Sequence, residues 1–550
     1  MMKVSDYIAD FIARQGVKKI FMLSGSGSVY LDDSIAGKNL DFICVRNEAT
    51  APMMAESYAR LTGKLGVACI TSGPGGTNAV SGLSEAWVDS APVLVISGQV
   101  DKKHTCHKAN IKNLRSLGIQ EIDIIPIVNS LTKYAQMVED PDSIRYHLEK
   151  AVYLAKSGRP GPVWLDIPLD VQSSIIDEKM LEGWNPEASE KDLDKNKLKE
   201  AVMLLAESKR PLIIAGQGIR IAKSLDEFKN LIEKLKIPVI LSRLGQDMLP
   251  FSYRYNLGHG GMKGLRYTKL IMSKSDLILS LGSRLAVPFV SDALSESAKI
   301  IMVDIDEAEL KKPSIRVDLQ INSDVKEFIE GLLKEDVKVD ASDWLKDCQG
   351  YKESYPLAGP ARNPIDLYYF VSRLDALSKE NSVFVSDAGS SYYVTGQALR
   401  FEKGQREITS GAFASMGLAI PLAIGSASAD PSRQILAITG DGSLELNIQE
   451  LKTMSSCGLD IKLFVINNGG YVSIRNTQDA LCGGRHVGSG QAEGLNFKKI
   501  ADAFELPYES IQNYEEVDGK ITEILNKKGP VFIEVVSDNC QKIIEPIKQI

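Results

Sequence analysis

The sequence predicts an α/β fold built from three domains, each with its own parallel β-sheet. Short apolar, β-branched runs alternate with helical stretches along the chain, which is the pattern of parallel sheets covered by helices. A chain of 550 residues is also too long for a single hydrophobic core. Polar, charge-rich stretches at 185–195 and after residue 333 separate the blocks. We therefore predict domains at 1–175, 190–335 and 360–545.

Each domain has its own set of predicted strands, and the first domain opens with an amphipathic helix at 1–16. The strands of the first domain are predicted at 18–24, 41–46, 66–72, 92–98 and 162–168. Those of the second domain are predicted at 211–215, 238–242, 277–281 and 299–304. The third domain is predicted to contain strands at 383–386, 435–439 and 461–466.

The composition argues against several classes of function. The formal net charge of -7 and the pI near 5.6 give no support to nucleic-acid or anionic-membrane binding. The seven cysteines are scattered without a CxxC pair, so neither a zinc site nor a redox disulfide is predicted. Their pattern fits a reducing cytoplasm, and the charged helix at 1–16 is neither a signal peptide nor a membrane span. Small molecules are therefore the expected partners.

The clearest candidate site follows two strands of the third domain. The strand at 435–439 leads to Asp441 between two glycines, and the strand at 461–466 leads to Asn468. The carboxyl ends of parallel strands meet at one edge of a sheet, where α/β proteins bind ligands. The segment between these strands has the one-face apolar spacing of a helix, at Leu444, Ile448, Leu451 and Met454.

A carboxylate and an amide oxygen at one sheet edge suit Mg²⁺, whose other ligands would be phosphate oxygens and water. The glycines beside Asp441 let backbone N–H groups approach phosphates. An ordinary strand, helix, strand unit with Asp and Asn as turn residues is the alternative, and it is the better interpretation of either motif alone. The two motifs together, at this spacing, favour a ligand site.

A second set of candidate residues lies in the first domain. The strand at 41–46 leads to Asn47 and Glu48, and the next strand ends in the glycine-rich loop TSGPGGTN at 71–78. A lone glutamate at a helix start is usually an acid that complements the helix dipole. Here the flanks are apolar or small, and the glycine-rich loop lets a ligand approach the backbone. These surroundings favour a binding role for Glu48.

The segment from Gly440 to Gly470 resembles the thiamine diphosphate (ThDP) signature, in which GDG is followed by NN after a little over twenty residues. This resemblance implies that Asp441, the Asn468 side chain and the Gly470 carbonyl hold Mg²⁺ against the diphosphate of the cofactor. It also implies cofactor contacts from Gly440, Gly442, Ser443, Tyr471, Gly389, Ser390 and Ser391.

The region of Glu48 is similar to the pyrimidine-binding domain of ThDP enzymes, in which one glutamate hydrogen-bonds N1′ of the aminopyrimidine. Pro74 and Asn78, in the neighbouring loop, are implied as further cofactor contacts. A glutamate in a mostly apolar pocket has a raised pKa and can share the N1′ proton. The 4′-imino group that results is the base for the C2 proton, so Glu48 is the predicted activator of the cofactor.

The resemblance extends through nearly the entire chain to the large subunits of acetohydroxyacid (acetolactate) synthases. The similar blocks lie at 48–49, 59–63, 71–78, 89–92, 98–100, 158–163 and 411–417. By this resemblance the Gly411 carbonyl anchors the 4′-amine, Ala412 is a further contact, and Met416 props the cofactor in its V shape. Gln120 corresponds to a family glutamine that faces the reacting carbon, where it would hydrogen-bond the substrate.

The chain departs from that family in two regions. Thr477 stands where the synthases carry a tryptophan that selects the second 2-oxo acid, so a larger acceptor is expected. The run GSRLAVP at 282–288 lacks the Phe-Asp-Asp-Arg run that contacts flavin, which argues against FAD. The motif at 216–218 is too short for a dinucleotide site and indicates a turn. Motifs at 145–150 and 256–260 resemble acetolactate-synthase-like enzymes of polysaccharide gene clusters, some of which extend a keto-sugar by two carbons.

Together these features predict a ThDP- and Mg²⁺-dependent carboligase. It would decarboxylate pyruvate or a related 2-oxo acid and transfer the acyl-anion equivalent to a carbonyl acceptor such as a keto-sugar. A genuine acetolactate synthase, and a ThDP-dependent lyase or hydrolase without carboligation, stay open as alternatives. Because Glu48 and Asp441 lie on different domains, ThDP must bridge a domain interface. Family analogy places that interface between two subunits, so a homodimer or a dimer of dimers is expected.

Overall fold

The computed structural model describes residues 1–38, 40–186, 193–286, 294–295, 297–357, 359–489 and 494–547. Within these ranges the chain forms three parallel sheets of six strands each, so the predicted fold class is confirmed. Most of the predicted linker at 185–195, and Val287 and Pro288 of the GSRLAVP run, lie outside the described residues. No helix of the described part is both long and apolar enough to cross a membrane.

The first sheet has strands in the order β3-β2-β4-β5-β7-β6, and the short strands β1 and β8 pair antiparallel beside it. The strands are β1 (Met2–Lys3), β2 (Lys19–Met22), β3 (Asp41–Cys44), β4 (Gly66–Ile70), β5 (Val93–Gln99), β6 (Ala135–Met137), β7 (Val163–Pro168) and β8 (Ile175–Ile176). Its α-helices are Val4–Arg14, Val29–Gly37, Thr50–Thr62, Pro74–Val88, Cys106–Ala109, Ile125–Val128, Ile144–Lys156 and Leu169–Gln172. β4 and β5 are buried throughout because helices cover both faces of a parallel sheet.

The central sheet has the order β11-β10-β9-β12-β13-β14, so the strand order reverses between β9 and β12. The strands are β9 (Pro211–Ala215), β10 (Val239–Leu241), β11 (Asn256–His259), β12 (Leu277–Leu281), β13 (Lys299–Asp304) and β14 (Leu319–Asn322). The helices of this region are Lys195–Glu207, Gly218–Ile221, Leu225–Leu235, Thr268–Lys274, Glu307–Lys311, Val325–Lys334 and Ser342–Ser354. Ligands of doubly wound sheets bind at the carboxyl ends of the strands where the order reverses.

The third sheet has the order β16-β15-β17-β18-β20-β19, which is the arrangement of the first sheet repeated. The strands are β15 (Val383–Ser386), β16 (Arg406–Ile408), β17 (Ile435–Gly440), β18 (Ile461–Asn467), β19 (Tyr508–Ile511) and β20 (Val531–Val536). The helices are Leu367–Leu377, Gly389–Ala398, Ala419–Ala429, Asp441–Leu444, Glu450–Ser456, Val472–Cys482, Phe497–Ala503 and Val517–Asn526. The strand order reverses between β15 and β17, which places a ligand crevice beside Asp441.

The helix predicted between β17 and β18 forms in two parts. It begins at Asp441, one turn earlier than the apolar pattern indicated, and a 3₁₀ turn at Glu445–Asn447 interrupts it before Glu450–Ser456. Leu444, Leu451 and Met454 are buried as the spacing predicts, whereas Ile448 is only partly buried.

The first and third domains share one hydrophobic core, and each also has a second core of its own. The central domain has a separate core. Helix Thr50–Thr62 packs against helix Ala419–Ala429 in the shared core. The two backbones approach so closely that a Cβ on Gly425 would lie 2.2 Å from the Met54 carbonyl oxygen. This contact fixes the third domain against the helix that follows Glu48.

Candidate active site

Asp441 and Asn468 come together at the carboxyl edge of the third sheet. β17 and β18 pair in parallel, so the residues that follow them emerge side by side. The Asp441 carboxylate accepts the backbone N–H groups of Asn468 at 3.1 Å and of Gly470 at 2.8 Å. Its other oxygen accepts the N–H of Gly442 at 2.8 Å. The carboxylate therefore joins the two turns that the sequence indicated as one site.

The turn at Asn468 offers further oxygen atoms at this edge. The Asn468 side chain is 7% exposed and lines a cavity, and its amide has no hydrogen-bond partner among the described residues. Gly469 and Gly470 have φ values of +74° and +76°, which favour glycine. The Gly470 carbonyl accepts a hydrogen bond from the Arg475 guanidinium. A carbonyl oxygen has two lone pairs, so Gly470 keeps one for a cation.

Asp387, directly after β15, is a site residue that sequence reasoning missed. Its buried carboxylate accepts the hydroxyls of Ser443 at 2.6 Å and Thr439 at 2.8 Å, and the Ser391 hydroxyl at 3.2 Å. The pKa of Asp387 is raised overall, because burial raises it by more than these hydrogen bonds lower it. Asp387 thus holds the ends of β15 and β17 together. The available signal was its position, because an aspartate directly after a buried strand is also the pattern of Asp441.

A cavity of about 720 Å³ opens over this edge, between residues of all three domains. Predicted cofactor-binding residues that line it are Gly389, Ser390, Ser391, Gly411, Ala412, Met416, Gly440, Asp441, Gly442, Ser443, Asn468 and Tyr471. The Tyr471 ring packs on Gly442, where a Cβ would lie 2.8 Å from the ring. His259 lines the central-domain side, and burial beside Arg243 lowers its pKa to about 3, so it is neutral.

The Glu48 region forms a second cluster, on the first domain. The Glu48 carboxylate accepts the side-chain amide of Asn78 at 3.0 Å. Gln120 has a φ of +58°, and its side-chain oxygen accepts the Ser26 hydroxyl at 3.4 Å. Its backbone carbonyl oxygen would lie 2.5 Å from a Cβ on Gly73, so the glycine-rich loop supports this unusual conformation. The structure therefore places Glu48, Asn78 and Gln120 around one loop.

The two clusters are separate within one chain. Among the described residues that line the cavity, Glu48, Pro74, Asn78 and Gln120 are absent. Pro74, Asn78 and Gln120 are instead exposed on the surface, and Glu48 is partly exposed. One chain therefore carries both halves of the predicted site without joining them.

The residues present fit the diphosphate of ThDP and a Mg²⁺ ion. The proposed donor set consists of hard oxygen atoms, which Mg²⁺ prefers. Asp441 and the Asn468 amide line the cavity, whereas Gly470 is not among the described residues that line it. Within the described ranges no three His, Cys, Asp or Glu side chains gather into a metal site, so the remaining ligands would be phosphate and water oxygens. Helix Gly389–Ala398 begins at the cavity, where its first N–H groups favour an anion.

The two regions in which the sequence differs from the resembled family lie in different parts of the structure. Gly216 and Gly218 pack against the backbone at Gly282, since a Cβ on Gly216 would lie 2.1 Å from the Gly282 carbonyl oxygen. The turn predicted at 216–218 is present at Gln217, and it leads into helix Gly218–Ile221, which was not predicted. Thr477 is exposed and donates its hydroxyl to the Ser473 carbonyl at 3.0 Å. The cavity wall contributed by the same helix comes from Val472, Ser473 and Ile474.

Three family matches cover this architecture in order. Residues 2–132 match the N-terminal TPP binding domain of thiamine pyrophosphate enzymes, 198–332 match their central domain, and 387–535 match their C-terminal TPP binding domain. The chain therefore belongs to the thiamine pyrophosphate (ThDP) enzymes, whose cofactor the site described above fits.

Curated relatives narrow the class. The chain is 32% identical to the acetolactate synthase large subunit of Lactococcus lactis, over 99% of this chain and 94% of the relative. It is 30% identical to the acetolactate synthase isozyme 1 large subunit of Escherichia coli, over 98% of this chain and 94% of the relative. A probable acetolactate synthase large subunit of Methanocaldococcus jannaschii is also 30% identical, over 98% of this chain and 93% of the relative. The protein is a ThDP-dependent enzyme of the acetolactate synthase type.

Proposed function

We propose that the protein is a Mg²⁺-requiring carboligase that decarboxylates pyruvate or a related 2-oxo acid and transfers the acyl unit to a carbonyl acceptor. The observation that carries this proposal is the convergence of Asp441 and Asn468 at a cavity, in a chain whose first domain presents Glu48 beside a glycine-rich loop. Bound ThDP supplies the carbanion chemistry and the electron sink of the reaction.

The residues at the diphosphate end of the site would bind the cofactor and fix its orientation. Asp441, the Asn468 amide and the Gly470 carbonyl would hold Mg²⁺, because they present oxygen atoms at one sheet edge. The N-terminus of helix Gly389–Ala398 would bind a phosphate group through its free N–H groups and its dipole. Met416 lines the same cavity and would support the middle of the cofactor.

The residues at the other end hold a proton and the substrate. The Glu48 carboxyl group would hold a proton at N1′ of the aminopyrimidine, with Asn78 fixing its orientation through the 3.0 Å hydrogen bond. Gln120, held by Ser26 and the Gly73 turn, would hydrogen-bond the substrate carboxylate or the developing alkoxide. Glu48 and Gln120 are therefore the proposed catalytic residues.

We propose that the active unit is a homodimer, alone or paired into a tetramer, in which each site combines halves of two chains. Both halves lie next to exposed apolar side chains, which in a monomer would face water. Ile119 and Leu117 are 89% and 48% exposed beside Gln120, and Phe413 is 53% exposed beside Gly411. A second copy would cover these side chains and bring Glu48 to the cavity.

A bulky acceptor such as a keto-sugar is proposed for the second half-reaction. Thr477 is small and exposed, and it lies one helical turn from Ser473, which lines the cavity. A second pyruvate is the alternative acceptor, because the relatives that cover the chain are named acetolactate synthases. Mass spectrometry of products from pyruvate with a panel of 2-oxo acids and keto-sugars distinguishes these acceptors.

A cytoplasmic location is part of the proposal. All seven cysteines are free thiols in the structure. Free thiols are typical of reducing compartments, where disulfides rarely persist. Burial raises the pKa of Cys69 and of Cys348, which keeps these two thiols protonated.

Release of carbon dioxide tests the proposed reaction. The purified protein with pyruvate, ThDP and MgCl₂ is expected to release carbon dioxide, and the Asp441→Ala variant is not. Product formation from an added acceptor then separates carboligation from simple decarboxylation or hydrolysis. Failure to release carbon dioxide from any common 2-oxo acid would contradict the proposal.

A further inference from the structure

Three buried carboxylates form hydrogen bonds between the first and third domains of the same chain. Each one accepts a backbone N–H group at or next to a proposed cofactor contact. Glu450 of the third domain is 0% exposed, and Glu85 and Asp89 of the first domain are 0% and 3% exposed. The function proposed above uses none of these side chains.

Glu450 holds the turn that carries Glu48. One of its oxygens accepts the backbone N–H groups of Arg46 at 2.8 Å and Asn47 at 3.1 Å. The same oxygen accepts the Thr50 hydroxyl at 2.9 Å. These three donors lie on both sides of Glu48 in the sequence. The position of the Glu48 backbone is therefore set by a side chain of the third domain.

Glu85 and Asp89 hold the loop that carries Gly411 and Met416. Glu85 accepts the Ser410 hydroxyl at 2.9 Å and the backbone N–H of Ser415 at 3.0 Å. Asp89 accepts the backbone N–H of Gly411 at 2.8 Å. This loop belongs to the third domain, whereas both carboxylates lie on helix Pro74–Val88 or directly after it in the first domain. Here the first domain holds a loop of the third domain, whereas Glu450 of the third domain holds a turn of the first.

The need to hold the two domains together does not explain why these three carboxylates are buried. The domains already share an apolar core, and burying a carboxylate costs free energy that apolar packing does not. Burial raises the pKa of Glu450, which reflects this cost. What a buried carboxylate adds is a directional acceptor for two or more donors at fixed positions. The donors here are backbone N–H groups and hydroxyls at or near proposed cofactor contacts.

We propose that Glu450, Glu85 and Asp89 are positioning residues that set the two cofactor-facing turns, each acting from the domain opposite to the turn it holds. Glu450 positions Glu48, and Glu85 with Asp89 positions the loop of Gly411 and Met416. The inference rests on the proposed cofactor contacts of Glu48, Gly411 and Met416.

The test compares backbone amide exchange in the cofactor-free protein, measured by mass spectrometry on peptides that cover 44–50 and 409–417. Glu450→Ala is expected to speed exchange at least about tenfold in the first peptide only, because Arg46 and Asn47 lose their acceptor. Asp89→Ala is expected to speed exchange at least about tenfold in the 409–417 peptide only, because Gly411 loses its acceptor. The amide variants Glu450→Gln and Asp89→Asn keep an acceptor oxygen and are expected to exchange within about threefold of wild type.

Asp166→Ala is the matched control, since Asp166 is a fully buried carboxylate of the first domain that accepts hydrogen bonds from Ser97 and Gln99 and contacts neither turn. It is expected to leave exchange in both peptides, and the ThDP affinity, within about twofold of wild type. Isothermal titration with ThDP and MgCl₂ should show at least about tenfold weaker binding for Asp89→Ala. If an alanine variant does not fold, Thr50→Val and Ser410→Ala, which each remove one hydroxyl from the same networks, replace Glu450→Ala and Asp89→Ala.

The outcomes separate this inference from the proposed function. Equal exchange in the wild-type and alanine variants, or equal acceleration by Asp166→Ala, would overturn the positioning role alone. Wild-type protein that fails to bind ThDP at all would overturn the proposed function, and this inference with it. Accelerated exchange confined to the expected peptide, rescued by the amide variant, supports the positioning role.

Discussion

Asp441 joins two backbone turns, and it is a proposed ligand of Mg²⁺. Its carboxylate accepts three backbone N–H groups, from Gly442, Asn468 and Gly470. Loss of the carboxylate would remove a proposed metal ligand and the hydrogen bonds that hold both turns.

We expect Asp441→Ala to weaken ThDP binding in the presence of MgCl₂ at least about tenfold, because charged hydrogen bonds and a ligand are lost together. Titration calorimetry measures the affinity, and EDTA should reproduce the effect in the wild-type protein. Asp502→Ala is the control, since Asp502 pairs with Lys498 on the surface and is expected to change nothing. Unchanged affinity in Asp441→Ala would remove this residue from the site.

Thr477 is the residue at which acceptor choice is tested. Thr477→Trp introduces a large ring one helical turn from Ser473, on the helix that forms part of the cavity wall. We expect product yield with keto-sugar acceptors to fall at least about tenfold, while carbon dioxide release from pyruvate stays within about threefold, because bulk there opposes only the second substrate. Mass spectrometry and a carbon dioxide assay measure the two. An equal loss in both assays would argue against acceptor selection at this position.

At the residue scale, the sequence indicates contacts between neighbouring elements, but it does not indicate contacts between residues that are far apart in the chain. The GDGS and NN motifs placed Asp441 and Asn468 correctly at one edge, because parallel strands fix that geometry. Glu450 gave no such signal. Its role depends on a turn about four hundred positions away, and only folding brings the two together.

At the scale of elements, the strands predicted from apolar runs are all present, and most of those missed lie at sheet edges. The edge strands β6, β11, β14, β16 and β19 were not predicted. An edge strand is covered on fewer sides, so it needs less apolar sequence and gives a weaker pattern. The inner strand β20 was also not singled out, although its run VFIEVV carries the signal.

The crossing of helices Thr50–Thr62 and Ala419–Ala429 allows a prediction about stability. Gly425→Ala would place a Cβ 2.2 Å from the Met54 carbonyl oxygen, so the helices must separate. We expect a loss of about 1–3 kcal/mol in the free energy of unfolding. Gly519→Ala is the matched control, because Gly519 lies in helix Val517–Asn526 with nothing within 4 Å of its Cβ position.

Gly519→Ala is expected to stabilise the protein by up to about 1 kcal/mol through helix propensity. Chemical denaturation followed by circular dichroism measures both variants. Equal behaviour of the two alanines would show that the contact between the domains is not tight.

At the scale of the whole molecule, the first and third domains repeat one topology, and we propose that they divide the cofactor site between them. Helix Thr50–Thr62 begins two residues after Glu48, and Asn78 lies near the start of helix Pro74–Val88. Further along, the two helices carry Arg60 and Glu85, which bond Thr409 and Ser410 of the third domain. The same pair of helices therefore serves one half-site at its start and supports the other half-site near its end. The proposed division of the site between two chains rests on family analogy at the level of the sequence, because a single sequence contains no information about a second copy.

The central claim, that each active site combines Glu48 of one chain with Asp441 of another, is tested most directly by mixing two inactive variants. Glu48→Gln and Asp441→Ala chains are exchanged by mild denaturation and dilution, and native mass spectrometry verifies the hybrids. Random pairing makes half of the dimers hybrids, each with one intact site of two, so about a quarter of wild-type activity is expected. Activity that stays at the level of the separate variants, despite proven exchange, would contradict the claim.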